Sequence, residues 1–116
     1  MTSIIRVREE RHDHFVAAIL DGELDAASVG EVAVTLRRLV ANQQFRVVID
    51  LGSVTYLDSA GINLLYAVAD EVRARQQQLH LVVAPGSPIE RMLRIVGADR
   101  AFPIHATLEE ARETGS

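Results

Sequence analysis

The run FRVVIDL at residues 45–51 constrains this chain more than any other stretch. It is short, β-branched and almost continuously apolar, the signature of a strand buried on both faces. Such a strand belongs at the centre of a sheet. Upstream, Ile4, Ile5 and Val7 form a short apolar stretch, REERHD interrupts it as a charged turn, and Phe15 to Leu20 resume it. That pattern predicts a two-strand opening, with DGELD ending the second strand at Gly22. From Ala26 to about Ala41 the apolar positions Val29, Val32, Ala33, Leu36, Leu39 and Val40 keep the spacing of one helical face. Asn42, Gln43 and Gln44 then form a polar break before the central strand.

Downstream, GSVTYLD reads as a short loop leading into a second helix, whose apolar positions are Ile62, Leu64, Leu65, Val68, Ala69 and Val72. LHLVVA is a further strand. In PGSPIERMLRIVGADR, Ser87 caps a third helix, Pro88 suits its first turn, Glu90 closes a capping box and Gly97 stops it. AFPI allows one short edge strand containing Pro103, and TLEEARETGS makes a last amphipathic turn or two before a frayed end. Strands alternating with helices after an initial hairpin predict an α/β fold. It is a mixed β-sheet with β-α crossovers, covered by about four helices, in one domain over residues 1–116.

Composition narrows the class of function. With 116 residues, 48% of them hydrophobic, the chain can bury about two-thirds of its unfolded surface without metals or cross-links. The absence of cysteine excludes disulfides and thiolate chemistry. There is no apolar stretch of signal or transmembrane length, which points to a soluble cytoplasmic protein without membrane insertion. Twelve basic residues against 16 acidic ones give a formal charge of -4, which disfavours direct nucleic-acid binding and suits a protein partner. Five aromatic residues, none of them Trp, offer little for stacking bases.

The chemistry concentrates in YLDSAGINLL, residues 56–65, where a polar cluster meets an apolar helix without a linker. Asp58, at or beside the N-cap, can accept from the free N–H groups of the first turn. Ala60 and Gly61 keep that turn narrow, allowing close approach by a neighbouring strand or another molecule, and leave Ser59 accessible. Taken alone, D-S-x-G is compatible with nothing more than an exposed serine at a helix start.

The order of three segments adds to this: GELD at 22–25, VVIDLGSVTYLDSAGINLL at 47–65 and SPIERMLRIVGADRAFPI at 87–104. Together they resemble the STAS domain family, in particular bacterial anti-sigma factor antagonists, over nearly the whole chain. In that family the serine directly after the aspartate of D-S-x-G is phosphorylated by the partner, and the matching position is Ser59. The resemblance also implies that Asp25 is an acidic neighbour of the acceptor and that Asp58 supports it. Ala60 stands where many phosphorylated members carry a second Ser or Thr, and Asn63 where many carry Gly.

The cycle implied by the resemblance needs no cofactor and no catalytic residue in this chain. The unmodified domain binds an anti-sigma factor and frees the sigma factor. The anti-sigma factor, also an ATP-dependent serine kinase, phosphorylates Ser59 and is released, and a separate phosphatase resets the system. The expected docking surface comprises Glu23, Asp25, Asp58, Ser59, Ala60, Gly61 and Asn63, with Tyr66 and Ala67 on the flank of the helix. A Tyr on an otherwise apolar helix is also suited to packing at the core edge.

Other readings draw on weaker features. A STAS scaffold, or a regulatory subunit of a transporter or stress-sensing complex, would bind a protein without any phosphorylation cycle, and Ala60 is compatible with it. A hydrolase using Ser59 lacks G-x-S-x-G and has no histidine nearby in sequence. PGSPIE has neither the spacing nor the lysine of a phosphate loop. His12 and His14 would share a face if they lay on a strand and could then hold a metal, but RHDH is more simply a solvated turn. His80 and His105 are expected to be hydrogen-bonded structural histidines.

Overall fold

The computed structural model describes residues 5–42 and 45–113. Ile4, Gln43, Gln44 and residues 114–116 lie outside the described residues. Five strands and four helices alternate as β1 (Ile5–Arg11), β2 (Phe15–Leu24), α1 (Val29–Asn42), β3 (Arg46–Leu57), α2 (Ser59–Ala74), β4 (Gln78–Val82), α3 (Pro88–Ile95), β5 (Ile104–His105) and α4 (Leu108–Glu113). A 3-10 turn at Ala98–Arg100 follows α3. The sheet order is β1-β2-β3-β4-β5, with β1 antiparallel to β2 and every other pairing parallel. The mixed sheet and its opening hairpin are as the sequence predicts, and the FRVVIDL strand is central.

Burial on both faces explains that position. Val47, Ile49 and Leu51 join Val16, Ala18, Leu20 and the apolar faces of α1, α2 and α3 in the main core. Val48 points the other way, against Phe15, Ala17, Val82 and Ala111 of α4. Alternate residues of one strand thus serve two apolar layers. Arg46, at the start of the same strand, is buried and donates from an Nη to the Ala111 carbonyl of α4 at 2.8 Å.

Three strand boundaries differ from expectation. REERHD is mostly strand, because β1 is an edge where charge is tolerated and its side chains pair along the strand, Arg8 with Glu10 and Arg11 with Glu9. Gly22 does not end β2: it has φ 129° and lies at an irregularity, beyond which pairing continues to Leu24. GSVTYL is the second half of β3, not a loop. Between Ile19↔Asp50 and Asp21↔Ser53, and again between Gly22↔Val54 and Glu23↔Tyr56, β3 carries one residue more than β2. These two bulges move the inward positions to Leu51, Val54 and Leu57, three residues apart, so the strand loses the alternation by which it could be recognised.

The helix signals act close to where they were read. Ser87 Oγ accepts from Glu90 N–H at 3.2 Å, while Glu90 Oε1 accepts from Gly86 N–H at 2.9 Å, one residue earlier than a strict capping box. The Gly86 bond, with Arg94 nearby, holds the Glu90 carboxyl below its ordinary pKa. Gly97 follows α3 with φ 78°, the left-handed conformation that favours glycine at a helix end. Helix α1 begins at Val29, three residues later than expected, because Asp25 to Ser28 form a turn of their own.

Candidate functional site

The ends of β2 and β3 meet at the mouth of α2. Asp58 follows β3 directly in extended conformation, and its N–H donates to the Leu24 carbonyl at 3.3 Å. Its two carboxylate oxygens do different things: Oδ1 accepts from Gly61 N–H at 3.1 Å and caps α2, and Oδ2 accepts from Ala26 N–H at 3.3 Å. One side chain therefore fixes the helix start and ties it to the turn after GELD, 32 residues away in the chain. Asp58 is an N-cap, as predicted, and a bridge, which was not.

The turn it holds is built by Asp25 and Ser28. Asp25 Oδ1 accepts from the N–H groups of Ala27 (3.0 Å) and Ser28 (3.1 Å). Ser28, fully buried, accepts from Asp25 N–H at 3.0 Å and donates to the Glu23 carbonyl at 2.7 Å. Sequence reasoning passed over Ser28, although a serine three residues after an aspartate is the spacing of such a reciprocal turn. Asp25 thus serves first as the organiser of this turn, half-buried beside the helix mouth.

Gly61 is buried. A Cβ at that position would lie 2.5 Å from Leu57 Cδ1 and 2.8 Å from the Leu24 carbonyl oxygen, so only glycine admits the closeness of α2 to the strand ends. Gly61 thus positions the site from beneath. Ser59 and Asn63 are exposed on the outer side of α2, Ala60 is half-buried, and Ala67 continues the exposed line one turn beyond Asn63. Glu23 is half-buried and stands opposite Tyr56 across the β2–β3 pairing.

Tyr56 is the aromatic residue that sequence reasoning overlooked at this mouth. It is 49% exposed, three residues before Ser59, and it faces outward because the second bulge turns it away from the core. Tyr66, by contrast, is half-buried against the core and packs on the Phe102 ring at a centroid distance of 5.8 Å. It is a core-edge residue. His12 and His14 lie in the β1–β2 turn, His12 stacked on Phe15 at 4.3 Å and His14 edge-on to Phe45 at 6.2 Å. No group of three or more metal-ligating side chains occurs among the described residues. No helix among them is long and apolar enough to cross a membrane.

An exposed serine opening an aspartate-capped helix, on a mixed sheet whose second and third strands end beside it, defines a STAS domain. The chain belongs to the STAS domain family, whose model matches residues 6–111. Anti-sigma-F factor antagonist RsfB of Mycobacterium tuberculosis is 32% identical over 101 residues, covering 85% of this chain and 81% of that protein. The crystal structure of an anti-sigma factor antagonist from Mycobacterium paratuberculosis shares the fold with a TM-score of 0.84 at 24% identity, covering 97% of this chain and 96% of that one. The Bacillus cell fate determinant SpoIIAA in its phosphorylated form shares it at TM-score 0.67 and 19% identity, covering 93% and 97%.

Proposed function

We propose that this chain is an anti-sigma factor antagonist that docks through the α2 mouth and is switched off by phosphorylation of Ser59. The observation that carries this reading is the geometry at residues 58–61. Ser59 is exposed at the first position of α2, while the neighbouring Asp58 is committed to backbone N–H groups and Gly61 is packed beneath. The hydroxyl can be presented to a partner without any rearrangement of the fold.

The partner is an anti-sigma factor with serine kinase activity, and ATP and magnesium belong to it. A phosphatase acting on phospho-Ser59 completes the cycle, which runs in the cytoplasm. In this reading residues 1–116 act as one domain and serve as a kinase substrate, not as a catalyst. The docking surface comprises Glu23, Asp25, Asp58, Ser59, Ala60 and Asn63, supported by Gly61 from below. The family relationship and the name of RsfB support the partner class.

Phosphorylation adds roughly −1.5 to −2 charge units and three acceptor oxygens at the start of a helix, where the dipole favours an anion. The isolated domain tolerates the group. A partner packed over it must desolvate the charge beside Asp58, and a loss of about 3 kcal/mol weakens binding more than a hundredfold.

Calorimetry against the copurifying anti-sigma factor tests this, with intact-mass analysis after incubation with that kinase and ATP. Ser59→Ala is expected to bind like the wild type and to gain no phosphate, and Ser59→Asp to bind more weakly. Equal affinity for the wild-type and kinase-phosphorylated domains would remove the charge switch from consideration.

A further inference from the structure

Far from the α2 mouth, three polar side chains lie under α4 that the proposed function does not use. His80 of β4 is buried, and its Nδ1 is 2.8 Å from Nε2 of His105 on β5, the rings stacked at 5.0 Å with an 8° interplanar angle. His80 Nε2 lies 3.3 Å from Gln78 Oε1. An amide oxygen can only accept, so His80 carries its proton on Nε2 and offers a bare Nδ1 to the N–H of His105. One proton therefore occupies the short N···N contact.

The third member is Arg46. Among the described residues its buried Nε finds no acceptor, and its Nη holds the Ala111 carbonyl of α4. Its positive charge is felt by both imidazoles. The charged and titratable groups around the pair are Arg46 from β3, Glu110 from α4, whose Oε2 accepts from Ala106 N–H at 3.0 Å, and Arg73 from α2, which lines the same open cleft as His80. Glu110 favours a charge on His105, whereas Arg46 opposes one on either ring.

We propose that the His80–His105 pair is an acid-operated latch that holds β5, and with it the adjoining α4, to β4, closed while the pair shares one proton and opened when His80 Nδ1 is protonated. The first added proton enters at His105 Nδ1 and leaves the N···N bond intact. The second, on His80 Nδ1, sets two N–H donors against each other at 2.8 Å and places a second cation beside Arg46. The contact cannot persist. β5, paired with β4 at Leu81↔Ile104 and Val82↔His105, then loosens, and the short helix that follows it, which packs through Leu108 and Ala111 against Phe15, Val48 and Val82, separates with it.

Burial first, then Arg46 and His105, push His80 down to about 4 from an ordinary 6.5. The opened state binds the proton more tightly than the closed one, so closure is favoured fully above pH 6.5 and is lost progressively as pH falls toward 4. Between pH 7.5 and 4.5 the opening equilibrium should rise on the order of tenfold to a hundredfold.

Amide hydrogen exchange of the intact chain, corrected for intrinsic rate and read separately for α4 and α2, tests the latch across that range. The expected result is a loss of α4 protection on the stated scale while α2 keeps its own. His80→Gln, which cannot take up the charge, should cut the pH dependence to the smaller part carried by His105, and His80→Asn, which cannot take it up either, serves if that variant does not fold. Equal pH dependence in the wild type and the folded variant, or simultaneous loss of α2 and α4 protection, overturns the proposal.

Discussion

At the scale of single residues, Asp58 carries more than its position in D-S-x-G announces. Capping requires only one carboxylate oxygen, and the second is free to take the Ala26 N–H from a turn that is distant in sequence. Helix start and turn are thereby held in one frame, with Ser59 between them and solvent. Asp58→Ala is expected to lower stability by about 1–2 kcal/mol, the upper part of the range for loss of an N-cap, since a second backbone donor is orphaned with the first. Urea denaturation measures it through the shift in midpoint at constant slope. An unchanged midpoint would show that both N–H groups are equally well served by water. The cap was legible in the sequence because it obeys a local rule. The bridge was not, because nothing local relates residue 26 to residue 58.

At the scale of elements, the second half of β3 decides where the site is. A regular strand would bring alternate residues inward. Two extra residues relative to β2 instead bring Leu51, Val54 and Leu57 inward and leave Thr55 and Tyr56 outside. The result is that Leu57 enters the core and Asp58 arrives under Leu24, where α2 can begin. Opposite the second bulge, Gly22 holds φ 129° and its carbonyl accepts from Thr55 Oγ1 at 3.3 Å. Few residues besides glycine adopt that conformation, so Gly22→Ala should cost about 1–3 kcal/mol. A drop in thermal midpoint, with the β-sheet circular dichroism of the folded state retained, is the expected observation, whereas an unaffected midpoint would mean that the backbone relaxes there without cost. The same bulges explain why GSVTYL reads as a loop and GELD as a strand end. Periodicity identifies a strand only while its register is regular, as in Arg46 to Leu51.

At the scale of the whole molecule, the strand–helix alternation, the central strand and the aspartate-capped helix start with its exposed serine were all legible, because each depends on short-range pattern or on a motif preserved as a contiguous string. The trio of Arg46, His80 and His105 was not, since its members come from three strands and meet only when the sheet assembles. This separation has a functional consequence. The α2 mouth is rigidly built from backbone hydrogen bonds, and the ionisable cluster lies at the other end of the strands, under α4. A phosphate on Ser59 should therefore change binding without opening the fold. The added charge meets two opposing influences, Asp58 next to it and the positive end of α2, each within about 1 kcal/mol for an exposed group. Denaturation of the kinase-phosphorylated and unmodified domains in the same buffer should give stabilities within about 1 kcal/mol of each other, while partner affinity differs by more than a hundredfold. If the phosphorylated domain instead lost several kcal/mol, the switch would work by loosening the helix start rather than by electrostatic exclusion at an intact surface.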